Sequence, residues 1–252
     1  MNTVAILVAV SAAVLIPLLW WATPRYPRSI LALGFVLITI GHGMGLFVAP
    51  REAMMGDVGR ILYAHVPTAW VALVTFTIAF GAAVGSLWTN KPGWDATAES
   101  AVEIGVLLTG MLLLQGSIWA RPTWGVWWTW DPRLTTTAIL MVSFIGVLVL
   151  RGLIDQPDRR STITAVATIL AAVNVPIVYK SVEWWNSLHQ GYSSPDTVSD
   201  PMVLPLRITA FGMTFFAVGA IGLRRRVSLA ESAADSSPEL PPLPEPLNLG
   251  AN

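Results

Sequence analysis

Seven stretches of this chain stay apolar long enough to cross a bilayer as helices, and that property leaves few folds open. They cover approximately residues 3–21, 30–49, 63–87, 101–120, 134–150, 163–179 and 206–223. Backbone polar groups inside hydrocarbon must be satisfied within the segment, so runs of this kind fold as helices. Only 12% of residues are charged, about half the fraction of a soluble domain. The fold class is therefore an all-α integral membrane protein, a bundle of six core transmembrane helices plus an extra N-terminal helix. Pro, Gly, Asp and Arg collect in the segments between the runs, where helices break and water is preferred. After Leu223 the composition changes to Arg224, Arg225 and Arg226 and then a Pro-, Ser- and Glu-rich stretch. This divides the chain into an N-terminal helix at 1–28, a six-helix domain at 29–226 and a cytoplasmic tail at 227–252, expected to be disordered.

Basic residues give the orientation. With the Arg224–Arg226 end in the cytoplasm, that side holds nine Lys and Arg, including Arg25, Arg28, Lys91, Arg151, Arg159 and Arg160. The opposite side holds six: Arg51, Arg60, Arg121, Arg133, Lys180 and Arg207. The first run lacks the basic segment that precedes a cleaved signal peptide, and its basic residues follow it instead, so it reads as a retained helix. A net charge of zero argues against a nucleic-acid partner, and the absence of cysteine excludes disulfides, thiolate metal sites and thiol redox chemistry.

Three outer segments face one compartment in this topology. They contain two of the three histidines, His65 and His189, and seven of the twelve tryptophans, Trp119 at a helix end among them. Interfacial belts of tryptophan are ordinary in membrane proteins, but a belt should appear on both sides. Here Trp124, Trp127, Trp128 and Trp130 fall within seven residues and lead into Asp131, with Trp184 and Trp185 in the next outer segment. At helical spacing Trp124, Trp128 and Asp131 would share one face, as would Trp185 and His189. So dense a set of indoles suits a large planar ligand with carboxylate edges as well as it suits lipid.

Two neutral imidazoles on opposite sides of a macrocycle coordinate its iron axially, which makes His65 and His189 candidate haem ligands. His42 lies inside the second run between Gly41 and Gly43, small neighbours that indicate close helix packing. Arg121 and Arg133 bracket the tryptophan cluster, as interfacial anchors or as clamps on carboxylates. Asp131 either pairs with one of them or orients a loop through backbone hydrogen bonds. Glu183 is placed to accept a hydrogen bond from His189. The helix cores lack the charged residues that mark ion or proton pathways.

The run Trp124-Gly-Val-Trp-Trp-Thr-Trp-Asp-Pro-Arg-Leu-Thr135 resembles the WWD signature of the haem-handling superfamily. Its ending Arg133-Leu134-Thr135 is similar to the CcmC branch, the haem-handling C protein of system I cytochrome c maturation. Tyr63-Ala-His-Val-Pro67 and Ser181-Val-Glu-Trp-Trp-Asn-Ser-Leu-His-Gln-Gly191 agree with the same family, and the likeness covers about 30–226. The resemblance implies a bacterial inner-membrane protein that binds haem b transiently at its periplasmic face, with His65 and His189 as axial ligands. Trp119, Trp124, Trp127, Trp128, Trp130, Asp131, Trp184 and Trp185 would form the platform, and Arg121 and Arg133 would meet the propionates. It further implies delivery to a CcmE-like haem chaperone, beside CcmA- and CcmB-like ABC transporter subunits and a CcmD-like small membrane protein. The family has six helices, matching the second to seventh runs, so the first run and the acidic tail are departures.

On this reading the chain is a delivery module with no turnover of its own, and nothing in it resembles a P-loop. The runner-up is a haem lyase of the same superfamily attaching haem directly to apocytochrome c. The Arg-Leu-Thr ending and the short chain weigh against it. A membrane cytochrome b needs two histidines per haem, usually within helices, so three histidines would allow one haem at most. A solute transporter is disfavoured by the uncharged helix cores.

Overall fold

A computed structural model describes residues 22–191 and 198–235. The first apolar run, 192–197 and the stretch beyond 235 lie outside the described residues, and with them the expected N-terminal helix and most of the expected tail. The described chain is all helical: α1 (Pro27–Phe47), a 3-10 turn (Asp57–Ile61), α2 (Leu62–Thr89), α3 (Pro92–Trp124), α4 (Pro132–Gly152), α5 (Pro157–Ala172), α6 (Asn174–Trp184) and α7 (Asp200–Asp235). Six spans among them are long and apolar enough to cross a membrane, with α5 and α6 forming one.

Local chemistry sets the boundaries. Proline stands at the first helical position of α1, α3, α4 and α5, where its missing N–H costs no helical bond. Helix α2 stops at Asn90, in the left-handed region at φ 52°, and α3 stops at Gly125, φ 78°. The break between α5 and α6 follows from Pro176, which has no N–H for the carbonyl of Ala172. There Asn174 donates instead to the carbonyl of Thr136 on α4, at 2.8 Å.

Packing in a membrane relies on close fit rather than on hydrophobic transfer. Phe76 of α2 stacks on Phe144 of α4 with ring centres 4.0 Å apart, both fully buried, at the middle of the bundle. Helices α1 and α7 touch backbone to backbone: a methyl group at Gly34 would overlap Phe216, and one at Gly219 would overlap Leu31. Leu33, Phe35, Val36 and Ile40 turn outward from α1, as a lipid-facing surface requires.

Two expectations need correction at the Arg224 end. Helix α7 continues through the arginines to Asp235, past the boundary at 226. Each arginine has a partner that holds it: Arg224 Nε lies 2.6 Å from Glu103 Oε2, Arg225 donates to Thr97 Oγ1 at 3.0 Å, and Arg226 donates to the Pro24 carbonyl at 2.8 Å. The helices are also not free of charge. Arg151 of α4 lies 2.7 Å from Asp95 and 2.8 Å from Glu99, and Arg224 reaches Glu99 and Glu231 as well. Asp95, Glu99 and Glu103 recur every fourth residue, so α3 presents all three on one face. The arginines of α4 and α7 neutralise that face, which is why it tolerates burial.

Candidate functional site

At the opposite end of the bundle, helices α2, α3, α4 and α6 and the segment after α6 enclose a cavity of about 230 Å³. His65, Trp70, Trp119, Trp124, Trp128, Arg133 and His189 are among its walls, with Leu and Val from α2 to α4 below. His65 enters from the first turn of α2. His189 enters from the coil beyond α6. Their ring centres are 6.4 Å apart and their planes 31° from parallel. Two imidazoles sharing one metal ion at ~2 Å each would have ring centres about 6 Å apart, so this spacing admits a single iron between them.

The two rings are held differently. His189 Nδ1 lies 2.8 Å from the carbonyl of Gln190, a contact that requires the proton on Nδ1 and leaves the lone pair on Nε2. Burial holds the His189 pKa below its ordinary value of 6.5, the Gln190 carbonyl opposing that shift, Arg133 adding to it and Asp131 opposing it. The ring is neutral, the form that binds metal. His65 is 8% exposed, its Nδ1 is buried without a hydrogen-bond partner, and its ring meets Trp119 edge-on at 5.4 Å. Gly116 of α3 gives the ring its seat: a methyl group there would come within 3.2 Å of His65 Cε1.

The tryptophan segment is not helical. Gly125 ends α3 in the left-handed region, and residues 125–130 run as coil before Asp131 caps α4. The helical face predicted for Trp124, Trp128 and Asp131 therefore does not form, although Trp124 and Trp128 still reach the cavity from different backbone geometries. Trp185 is extended and residues 186–191 run as coil and bends, so Trp185 and His189 share no helical face. The aromatic set divides accordingly. Trp119, Trp124 and Trp128 line the cavity, whereas Trp127, Trp130, Trp184 and Trp185 stand outside it, 48 to 81% exposed.

Asp131 turns out to be the joint between the two outer segments. Its carboxylate accepts from the backbone N–H of Arg133 at 2.9 Å, capping α4. It also accepts from Ser187 Oγ at 2.8 Å and the N–H of Leu188 at 2.7 Å. Of the two roles open to it, the structure selects the second, orienting a loop, and that loop is the one carrying His189. Arg133 donates to the Tyr179 carbonyl at 3.0 Å from the cavity wall. Arg121 is bound to the Gly125 carbonyl of its own turn and does not line the cavity. Glu183 accepts from Lys180 at 2.8 Å, and the acceptor expected of it for His189 is the Gln190 carbonyl.

His42 lies outside the cavity wall, on α1, beside the Tyr63 carbonyl. That carbonyl is free because Pro67 has no N–H to offer it. Its flanking glycine Gly41 meets Thr209 of α7, the close packing expected, while Gly43 faces open space. Sequence reasoning missed Trp70, Gly116, Tyr179 and the Gln190 carbonyl. Trp70 does carry a signal, since five residues after His65 it lies on an adjacent part of the same helix. The others contribute backbone or empty space, which no residue type announces.

Comparison with known proteins places this chain among a consistent set of relatives. The family model described as CcmC, heme exporter protein C, matches residues 9–238. The chain is 36% identical to heme exporter protein C of Escherichia coli K12 over 193 residues, 76% of this chain and 78% of that one. It is 35% identical to heme exporter protein C of Haemophilus influenzae over 207 residues, 80% and 84% of the two chains. A ccmC-like mitochondrial protein of Marchantia polymorpha, named for cytochrome c biosynthesis, is 30% identical over 198 residues, 77% of this chain and 84% of that one.

Proposed function

The chain belongs to the CcmC family of heme exporter C proteins, and from that premise we propose that it holds haem between His65 and His189 at the outer face of a membrane and presents it to a CcmE-like chaperone for cytochrome c maturation. It is a multi-pass membrane protein of a haem-handling transport family. The observation that carries the finer reading is that the two imidazoles line one aromatic cavity with their ring centres 6.4 Å apart.

The lining fits such a cargo. Trp119, Trp124 and Trp128 offer apolar surface for the macrocycle, and Arg133 is the cation at the wall for a propionate. His189 is fixed in the tautomer that ligates through Nε2, and the buried Nδ1 of His65 has no hydrogen-bond partner among the described residues. Haem brings the iron and the vinyl groups. This chain's part is to orient the ring, keep bulk water from the ligands and leave one edge open. Trp127, Trp130, Trp184 and Trp185 are proposed for the rim of that opening, where an acceptor or the lipid interface meets them. The Arg224 end then faces the cytoplasm, the side that the distribution of basic residues favours. CcmA-, CcmB- and CcmD-like subunits are the expected neighbours in the membrane.

An absorption spectrum of the detergent-purified protein after haem addition tests this directly. The parent should give a low-spin, six-coordinate spectrum, and His65→Ala and His189→Ala should each abolish it. A parent that binds no haem, or variants matching the parent, would sink the assignment.

A further inference from the structure

The proposed haem site has an asymmetry that bears on how cargo leaves it. Imidazole strength as a ligand depends on what its other nitrogen does. A donor N–H bonded to a carbonyl pushes charge onto the ring and strengthens the metal bond, and such partners are worth roughly 10- to 100-fold in metal affinity. His189 has this partner: its Nδ1 is 2.8 Å from the Gln190 carbonyl. The coil carrying it is in turn fastened to α4 through Ser187, Leu188 and Asp131. His65 has none. Among the described residues its buried Nδ1 has no acceptor, and it rests on Gly116 and against Trp119, neither of which accepts a hydrogen bond from it. Nor does the helix compensate, because the side chain of His65 has no hydrogen bond of its own to α2.

Resting on the haem reading above, we infer that the two axial positions are unequal: His189 anchors the iron and His65 is the ligand released first when haem passes to an acceptor. In that exchange the iron–nitrogen bond to His65 breaks, and a donor atom of the acceptor, or water, takes the freed position. No electron moves, and His65 regains a neutral ring. The five-coordinate haem stays on His189 while the acceptor engages, so the cargo is never without a ligand. Departure then needs only one further bond to break.

The test uses the full-length protein in detergent, titrated with hemin, and the His65→Gly and His189→Gly variants. His65→Gly should keep hemin within about 10-fold of the parent as a five-coordinate species, whereas His189→Gly should lose roughly 100-fold, the span that such hydrogen bonds cover. Cyanide added to the parent should give the electron paramagnetic resonance spectrum of cyanide-bound His65→Gly, identifying His65 as the displaced ligand. Gly116→Val gives a second approach should a histidine variant misfold. The Cβ it adds meets His65 and no other residue within 4 Å, so it should yield five-coordinate haem that remains bound. Equal losses in the two histidine variants, a parent cyanide adduct matching His189→Gly, or haem lost outright from Gly116→Val would overturn the asymmetry while leaving the site in place. A parent that takes up no hemin would overturn the haem reading itself.

Discussion

At the Arg224 end of the bundle Arg151, Arg224, Asp95, Glu99 and Glu103 each have an opposite charge on another helix, whereas at the His65 end the buried nitrogens His65 Nδ1 and Trp119 Nε1 have no partner among the described residues. Both ends bury polarity in a low-dielectric setting, where an unsatisfied group costs about 1–3 kcal/mol. The first end recovers that cost internally and so behaves as a clasp on α3, α4 and α7. The second leaves polar capacity open beside an apolar cavity, which is the arrangement a binding site needs. Self-sufficiency marks the part that holds the fold, and its absence marks the part that receives something.

The largest expected effect lies at the clasp. Arg151→Leu strands the mostly buried Asp95 and leaves Glu99 to Arg224 and Ser228 alone, and should lower stability by about 3–5 kcal/mol. Thermal unfolding in detergent measures it, and haem bound per folded molecule should not change. A loss of haem binding in the folded fraction would break the separation between the ends. Next comes Asp131→Ala, which strands the N–H groups of Arg133 and Leu188 and the hydroxyl of Ser187, at about 1–3 kcal/mol. Its signature is spectral as well: six-coordinate haem should decline because the loop bearing His189 is no longer fastened, and Asp131→Asn should restore part of it.

The division among the tryptophans is tested by a paired comparison. Trp124→Ala should weaken haem binding by about 2 kcal/mol and Trp127→Ala by well under 1, since only the former lines the cavity. Equal losses would return all these rings to a single platform. The smallest effect concerns pH. Because burial holds His189 below 6.5, its ring stays neutral and able to ligate as pH falls through that value. The unfolded chain takes up this proton near pH 6.5 and the folded chain only lower, so stability should fall as pH drops below 6.5. His189→Gln should flatten that slope in unfolding titrations between pH 6.5 and 5.

The spans were legible in the sequence because a bilayer imposes one length and one polarity on anything that crosses it. Six of the seven runs coincide with helical spans, and the seventh lies outside the described residues. His65, His189 and the tryptophan cluster were legible as residue types too scarce or too concentrated to be background. Spacing failed where the backbone left the helix. Gly125 and the Asp131 cap interrupt the periodicity that would have put Trp124, Trp128 and Asp131 on one face. The stripe of Asp95, Glu99 and Glu103 went unread in the sequence, and its neutralisation by Arg151 and Arg224 joins residues 52 to 125 positions apart. The bond from Asp131 to Leu188 spans 57 positions, and the seat of His65 is a missing side chain at Gly116. Local chemistry is written along the chain, so sequence alone marked which segments are long and apolar enough to cross a membrane and which residues are candidates for the chemistry. Contacts between distant helices depend on where each turn stops, so only the tertiary structure decided which rings face the cavity and which carboxylate holds it together.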